Sequence, residues 1–314
     1  MESTTFTFKD HDGIEIFVYK WMPDSGDAKA CIQIVHGLAE HAGRYAKFAE
    51  YFTNAGYICY ADDHRGHGKT ACTEENRGKL GLGGWESVIK DLKQLNDTIK
   101  DENPGKPVFL IGHSWGSLLL QDYIQQFGKD IKGVVLSGAS GAQPFIVQKL
   151  GPFLTKQQIK KHGADTPSDF SYNLTFKAYN KKFLPSPTGT DFDWINRNAE
   201  AVKDYVADPW CGWKMTGGMA LEMVLGLIKM WKPENERKIP VNLPVLVMSG
   251  TDDSTNMSLK NLKPLVNRYK NKYGIKDVMT KYYEGARHEI FNETNKDEVL
   301  KDLLTWLDAH LPQT

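Results

Sequence analysis

Hydrophobic and polar positions repeat with two different periods along this chain, and each change of period marks an element. Short apolar runs at Ala30–Val35, Tyr57–Ala61, Val108–Ile111, Gly133–Gly138 and Val245–Ser249 have the length and continuity of strands buried on both faces. Val278–Tyr283 reads as a further strand. Between them apolar residues recur at helical spacing. The first such set is Tyr45, Phe48, Ala49 and Phe52, and the second is Trp85, Val88, Ile89, Leu92, Leu95 and Ile99. Leu118, Leu119, Tyr123, Ile124 and Phe127 form a third, and Leu300, Leu303, Leu304, Leu307 and Leu311 mark a last helix. Near the N-terminus, Thr5–Lys9 and Glu15–Trp21 read as two strands joined by a turn at His11-Asp12-Gly13. Strands alternating with helices predict an α/β fold, with a mostly parallel central sheet covered by helices on both faces.

The alternation stops between Gly141 and Pro240. That stretch has helical patterns without strand alternation and is rich in aromatic residues, among them Phe145, Phe176, Trp194, Tyr205 and Trp213. It is expected to be a helical cap, residues 141–240, inserted into a core made of residues 1–140 and 241–314. Within it Met215, Met219, Met223 and Leu227 fall on one helical face. The stripe packs the cap, or it offers a soft wall to an apolar ligand.

One junction carries chemistry. The Val108–Ile111 strand runs into Gly112-His113-Ser114-Trp115-Gly116 and then directly into a helix. G-x-S-x-G between strand and helix is the nucleophile elbow, a tight turn that lifts Ser114 above the sheet at a helix N-terminus. A serine hydroxyl needs a base, and the base needs an orienting carboxylate. In such sheets both follow the serine, on loops leaving later strands, in the order acid then histidine. Val245–Ser249 leads into Gly250-Thr251-Asp252-Asp253, and Val278–Tyr283 leads into Glu284-Gly285-Ala286-Arg287-His288. Among nine histidines, only His288 lies in a loop after a strand downstream of both serine and acid. Position alone leaves Asp252 and Asp253 open. An oxyanion needs two N–H donors. The backbone N–H of Trp115 is one candidate, and that of Leu38, in the loop after Ala30–Val35, is the other.

Charge and composition narrow the partners. Lysine plus arginine equals aspartate plus glutamate at 39 each, which speaks against a dedicated nucleic-acid binder. The N-terminal residues lack the pattern of a signal peptide, and no apolar run reaches the length of a membrane span. The four cysteines have no C-x-x-C spacing, so reduced thiols and a cytoplasmic location are expected. His64 and His67 with Asp62 and Asp63 can be drawn as a metal set, but turn hydrogen bonds and an Arg65 ion pair explain that loop better. No metal and no cofactor are expected.

His36-Gly37-Leu38-Ala39-Glu40-His41-Ala42-Gly43-Arg44-Tyr45 resembles the H-G-x-x-E-H-x-x-R-Y stretch of monoacylglycerol lipases and related bacterial lysophospholipase-like α/β hydrolases. Asp62–Thr70 resembles their D-x-x-G-H-G-x-S loop, with Thr70 in place of the usual serine. The elbow is similar to their G-H-S-M-G, with Trp115 in place of methionine. The resemblance implies an α/β-hydrolase fold and a cofactor-free serine esterase. It implies Ser114, Asp253 and His288 as triad, and Leu38 with Trp115 as oxyanion donors. It further implies a small lipid-like ester as substrate and transient contact of the cap with a membrane surface. Two other readings stay in view. Gly-His-Ser-Trp-Gly-Ser also resembles the elbow of proline iminopeptidases, whose H-G-G-P-G differs from His36–Glu40 here. A non-catalytic binding module on the same fold is the other. Epoxide hydrolases and dehalogenases are excluded, since they need aspartate where Ser114 stands.

Overall fold

The computed structural model describes residues 1–24, 26–142 and 145–312, the side chains of 145–147 excepted. The expectation for the Phe145 side chain therefore lies outside the described residues. Eight strands are formed: β1 (Glu2–Lys9), β2 (Glu15–Met22), β3 (Ala30–Val35), β4 (Tyr57–Asp62), β5 (Val108–His113), β6 (Gly133–Ser137), β7 (Val245–Gly250) and β8 (Val278–Tyr283). They make one sheet in the order β1-β2-β4-β3-β5-β6-β7-β8. The β1–β2 and β2–β4 pairs are antiparallel, and every later pair is parallel.

The α-helices in chain order are α1 (Ala46–Asn54), α2 (Gly68–Ala71), α3 (Gly84–Glu102), α4 (Trp115–Phe127), α5 (Phe145–His162) and α6 (Asp169–Leu174). They continue with α7 (Phe176–Asn180), α8 (Ala199–Ala207), α9 (Gly217–Met230), α10 (Pro233–Glu236), α11 (Leu262–Asn267) and α12 (Lys296–Ala309). Successive strand residues point to opposite faces, and the core divides accordingly. Ile32, Ile34, Phe109, Ile111 and Leu246 pack with Phe48 and Phe52 of α1 and Leu303 and Trp306 of α12. Cys31, Val35, Val108, Leu110 and Val247 pack on the other face with Leu92 and Leu95 of α3 and Leu119 and Tyr123 of α4. Each such side chain, fully buried, contributes about 1.5–3 kcal/mol. Burial on both faces explains why these strands read as continuous apolar runs rather than alternating ones.

Between β6 and β7 the described residues form helices, turns and a single bridge, Pro167 to Thr216. Met215 and Met219 are buried in the same cluster as Trp85 and Trp115, with Met223 and Leu227 packed against it. A Cβ at Gly226 would collide with the Trp85 indole, so α9 lies tight on α3 there. The methionine stripe is thus a packing surface against the core. A separate cluster joins Phe176, Phe192, Trp194, Val202, Tyr205 and Cys211 to Ala39 of the loop after β3. This contact brings the helical segment over the C-terminal edge of the sheet. Among the described residues no helix is long and apolar enough to cross a membrane.

Candidate active site

In parallel register β3, β5, β7 and β8 all release their following loops at the same edge of the sheet, where sites of such folds assemble. At the end of β5, Ser114 has φ 52° and ψ −118°. A left-handed non-glycine backbone costs on the order of 1–3 kcal/mol and persists only where its surroundings hold it. Ser114 N–H donates to Ser137 O at 2.9 Å, and Ser114 O accepts from Ser117 N–H at 2.9 Å and Leu118 N–H at 3.2 Å. The flanking glycines make the turn possible. A Cβ on Gly112 would lie 2.6 Å from Gly116 O, and a Cβ on Gly116 would run into Val35 O.

Asp253, in the loop after β7, is fully buried. Its Oδ2 receives His288 Nδ1 at 2.9 Å and Asn256 Nδ2 at 3.3 Å. Its Oδ1 accepts from the Thr255 N–H and hydroxyl, each at 2.8 Å. Burial alone would raise this carboxyl, but the His288 charge and these donors hold it below its ordinary value. Asp252 points elsewhere: it is nearly half exposed and pairs with Lys182 at 2.9 Å. His288 is buried. Burial works to lower its pKa, and Asp253 outweighs it, so the imidazole sits above its ordinary value. Its Nε2 has no hydrogen-bond partner among the described residues. The ring lies 4.8 Å from that of His113 and 5.0 Å from Trp194, centroid to centroid. A Cβ on Gly138, which follows the Ser137 that holds Ser114, would be 2.9 Å from His288 Cε1. The His288 ring therefore lies against the elbow.

The loop after β3 approaches from the other side, where a Cβ on Gly37 would be 3.1 Å from Ser114 Cβ. His36 Nε2 accepts the His64 N–H at 3.1 Å, so its proton is on Nδ1, which donates to Gly37 O at 2.8 Å. Burial keeps His36 neutral, its pKa well below the ordinary value. Gly37 C=O and Leu38 N–H belong to one trans peptide and point opposite ways. Anchoring the carbonyl on His36 therefore aims the Leu38 N–H away from it. The Gly37 N–H is itself taken by Glu40 Oε1 at 2.6 Å. No hydrogen bond engages the N–H of Leu38 or Trp115 among the described residues.

Sequence reasoning missed several supporting groups. Arg44 bridges Glu40, at 2.5 Å, and Glu289, at 2.8 and 2.9 Å, joining the loop after β3 to the residue after His288. Burial would raise the Glu289 carboxyl, but Arg44 holds it at about 2. Nothing local signals a pair separated by 245 positions. Thr255 was legible in principle, because an aspartate commonly binds the backbone N–H two residues on. In the loop after β4, His64 Nδ1 meets Asp62 at 2.7 Å and His67 Nδ1 meets Arg65 O at 2.9 Å. Asp63 accepts from Ala42 N–H and Lys69 N–H. Arg65 is clasped by Asp10, Asp12 and Asp91. These polar groups serve the loop, not a common centre.

A mostly parallel sheet flanked by helices, with a serine on a strained strand-to-helix turn, defines an α/β hydrolase. Comparison with known proteins agrees with that class and with the lipase-like motifs. Residues 26–295 match the family described as serine aminopeptidase, S33, and the chain belongs to that family. A monoacylglycerol lipase from Mycolicibacterium smegmatis is 29% identical over 312 residues, covering 97% of each chain. A monoglyceride lipase homolog from Monkeypox virus is 27% identical over 301 residues, covering 94% of this chain and 95% of its own. A solved structure of a highly thermostable carboxyl esterase from Bacillus coagulans, in complex with glycerol, has a TM-score of 0.87. It is 26% identical and covers 99% of both chains.

Proposed function

We propose that this protein is a carboxylic ester hydrolase for lipid-like monoesters, of the monoacylglycerol or lysophospholipid type, working through an acyl-enzyme on Ser114. His288 Nε2 takes the Ser114 proton as the hydroxyl attacks the ester carbonyl, then returns it to the leaving alcohol. Asp253 holds His288 in the Nδ1–H tautomer and stabilises the imidazolium. The N–H groups of Leu38 and Trp115 receive the oxyanion, the second aided by the N-terminus of α4. Water then attacks the acyl-enzyme, with His288 again as base. The observation that carries this reading is the buried His288–Asp253 pair beside the elbow, with Nε2 unpartnered among the described residues.

Residues 1–140 and 241–314 act as the catalytic core, and 141–240 as a cap over it. The cap supplies Trp194 against the His288 ring, with Phe176 packed on Trp194, apolar groups suited to an acyl chain. Exposed Leu150, Phe153 and Leu154 on α5 give the cap a surface for transient contact with a membrane. The four free cysteines fit a cytoplasmic setting.

The family description raises an aminopeptidase reading, which needs a free acidic group to hold an α-ammonium. Of the acidic candidates in the segment, Glu200 pairs with Lys203, Asp208 with His41, and Glu222 accepts the Trp85 N–H. Asp204 lies exposed on α8. A binding module without activity has no use for the strain held at Ser114. A fluorophosphonate probe tests the assignment: it labels Ser114 in the wild type and nothing in Ser114→Ala. Labelling that survives the substitution overturns it.

A further inference from the structure

Outside the triad, a second set of chemistry-bearing side chains converges from distant parts of the chain. His41 lies in the loop after β3, Asp208 ends α8, and Cys211 follows three residues later. One imidazole nitrogen, one carboxylate oxygen and the thiol sulfur all lie within 4.8 Å of one another. His41 Nε2 is 2.9 Å from Asp208 Oδ2. In zinc sites the ion sits about 2.0–2.2 Å from nitrogen and oxygen and about 2.3 Å from sulfur. Neighbouring donors of a tetrahedron are then roughly 3–4 Å apart, so this set closes on an ion with small side-chain movements.

Binding an ion would take the Cys211 thiol as thiolate, with one proton released to solvent. The donors are already held in place. Asp208 Oδ1 accepts the Trp210 N–H at 2.8 Å, which leaves Oδ2 to face His41. The Cys211 N–H donates to Asp208 O at 3.0 Å, and the Gly212 N–H to Ala39 O at 2.9 Å. Cys211 is buried, while the side chains of His41 and Asp208 keep 16% and 27% of their exposure. An ion therefore has a way in and a side open to water. Histidine, carboxylate and thiolate with one open position is a donor set for zinc and its neighbours rather than for magnesium or calcium.

We propose that His41, Asp208 and Cys211 form a binding site for a zinc-class divalent ion, with water as fourth ligand, that clips the segment after α8 to the loop carrying Leu38. The site is separate from Ser114, His288 and Asp253, and the ion takes no part in the proposed ester chemistry.

Cobalt(II) titration of the chelator-stripped full chain tests it. A Cys72→Ser background removes the exposed thiol. One equivalent of cobalt is expected to give the visible spectrum of a four-coordinate ion with a thiolate-to-cobalt charge-transfer band, and zinc is expected to displace it. The charge-transfer band disappears in Cys211→Ser. Loss of even an outer-shell partner costs about 10–100-fold in affinity, so Asp208→Asn lowers cobalt affinity by at least about tenfold. Asp208 is partly exposed, so this variant remains informative if Cys211→Ser does not fold. Absence of a saturable cobalt spectrum overturns the proposal. So does a charge-transfer band that survives Cys211→Ser, or an affinity unchanged in Asp208→Asn. Fluorophosphonate labelling of the same samples reports on Ser114 independently.

Discussion

Ser114 is held in a backbone conformation that its own side chain disfavours, and His288 beside it carries a buried nitrogen with no partner among the described residues. Both features are costly and both serve the reading proposed above. Ser114→Ala is expected to lower turnover roughly a million-fold, leaving only binding and oxyanion contributions. Asp253→Asn costs on the order of ten-thousand-fold, because His288 loses the carboxylate that sets its tautomer. Asp252→Asn leaves kcat/KM near the wild type, since Asp252 meets Lys182 at the surface; the reverse ranking sinks the assignment. The pH profile follows from the same pair. His288 must be neutral to act as base, so activity falls as pH drops through its pKa. Asp253 places that midpoint above about 6.5, the usual imidazole value. His113 and His67 do not shape this limb, because burial, helped by neighbouring histidines, lowers them to about 4 and about 3. In Asp253→Asn the residual activity shows the acid limb at lower pH. Stability carries matching signs. The raised His288 pKa adds stability below about 6.5 that is lost as pH rises through the folded value. The lowered Asp253 pKa adds stability above about 3.9 that is lost as pH falls. Denaturation midpoints of wild type and Asp253→Asn thus differ most between those two values. From the sequence Ser114 and His288 stood out by element context. The choice of Asp253 over Asp252 needed the resemblance, because adjacent residues share one loop and differ only in where their side chains turn.

At the scale of elements, the loops after β3 and β8 are tied together by Glu40, Arg44 and Glu289. All three side chains are largely buried, with 3%, 14% and 5% exposure. Removing the middle charge leaves two buried carboxylates facing each other. Arg44→Met is therefore expected to lose about 3–5 kcal/mol of stability, read as a fall in the denaturant midpoint. A loss below about 1 kcal/mol, the range of a surface pair, contradicts this account. Gly116→Ala places a methyl group against the Val35 carbonyl, so it forces β3 and α4 apart. Its expected result is a chain that is destabilised and unlabelled by fluorophosphonate. The buried strands and amphipathic helices were legible, because parallel strands covered on both faces give unbroken apolar runs and α3 repeats its apolar face from Trp85 to Ile99, about four turns. Short α6 and α7 were not separable from loop, since 6 and 5 residues give too few repeats of a helical period. The bonds between loops were not legible either, because partners hundreds of positions apart leave no local pattern.

At the scale of the whole molecule, the helical segment between β6 and β7 is proposed to decide what reaches Ser114. One aromatic cluster of that segment packs over Ala39, and its Trp194 ring lies 5.0 Å from that of His288. The methionine stripe packs against α3 and the core, in the cluster that holds Trp115, with Leu38 partly buried against it. The acyl-binding surface is proposed at Trp194, whose ring lies 5.0 Å from that of His288, and each CH₂ buried there adds about 0.8 kcal/mol. Catalytic efficiency is then expected to rise with acyl length, by up to about fourfold per CH₂, until the pocket is full. The central claim is that Ser114 acts on glyceryl-type esters rather than on aminoacyl amides. The most direct measurement compares kcat/KM for a series of monoacylglycerols with that for prolyl and alanyl p-nitroanilides, on wild type and Ser114→Ala. The account predicts that a monoacylglycerol is the better substrate and that its cleavage vanishes with Ser114. Faster cleavage of an aminoacyl p-nitroanilide than of any glyceryl ester would contradict it.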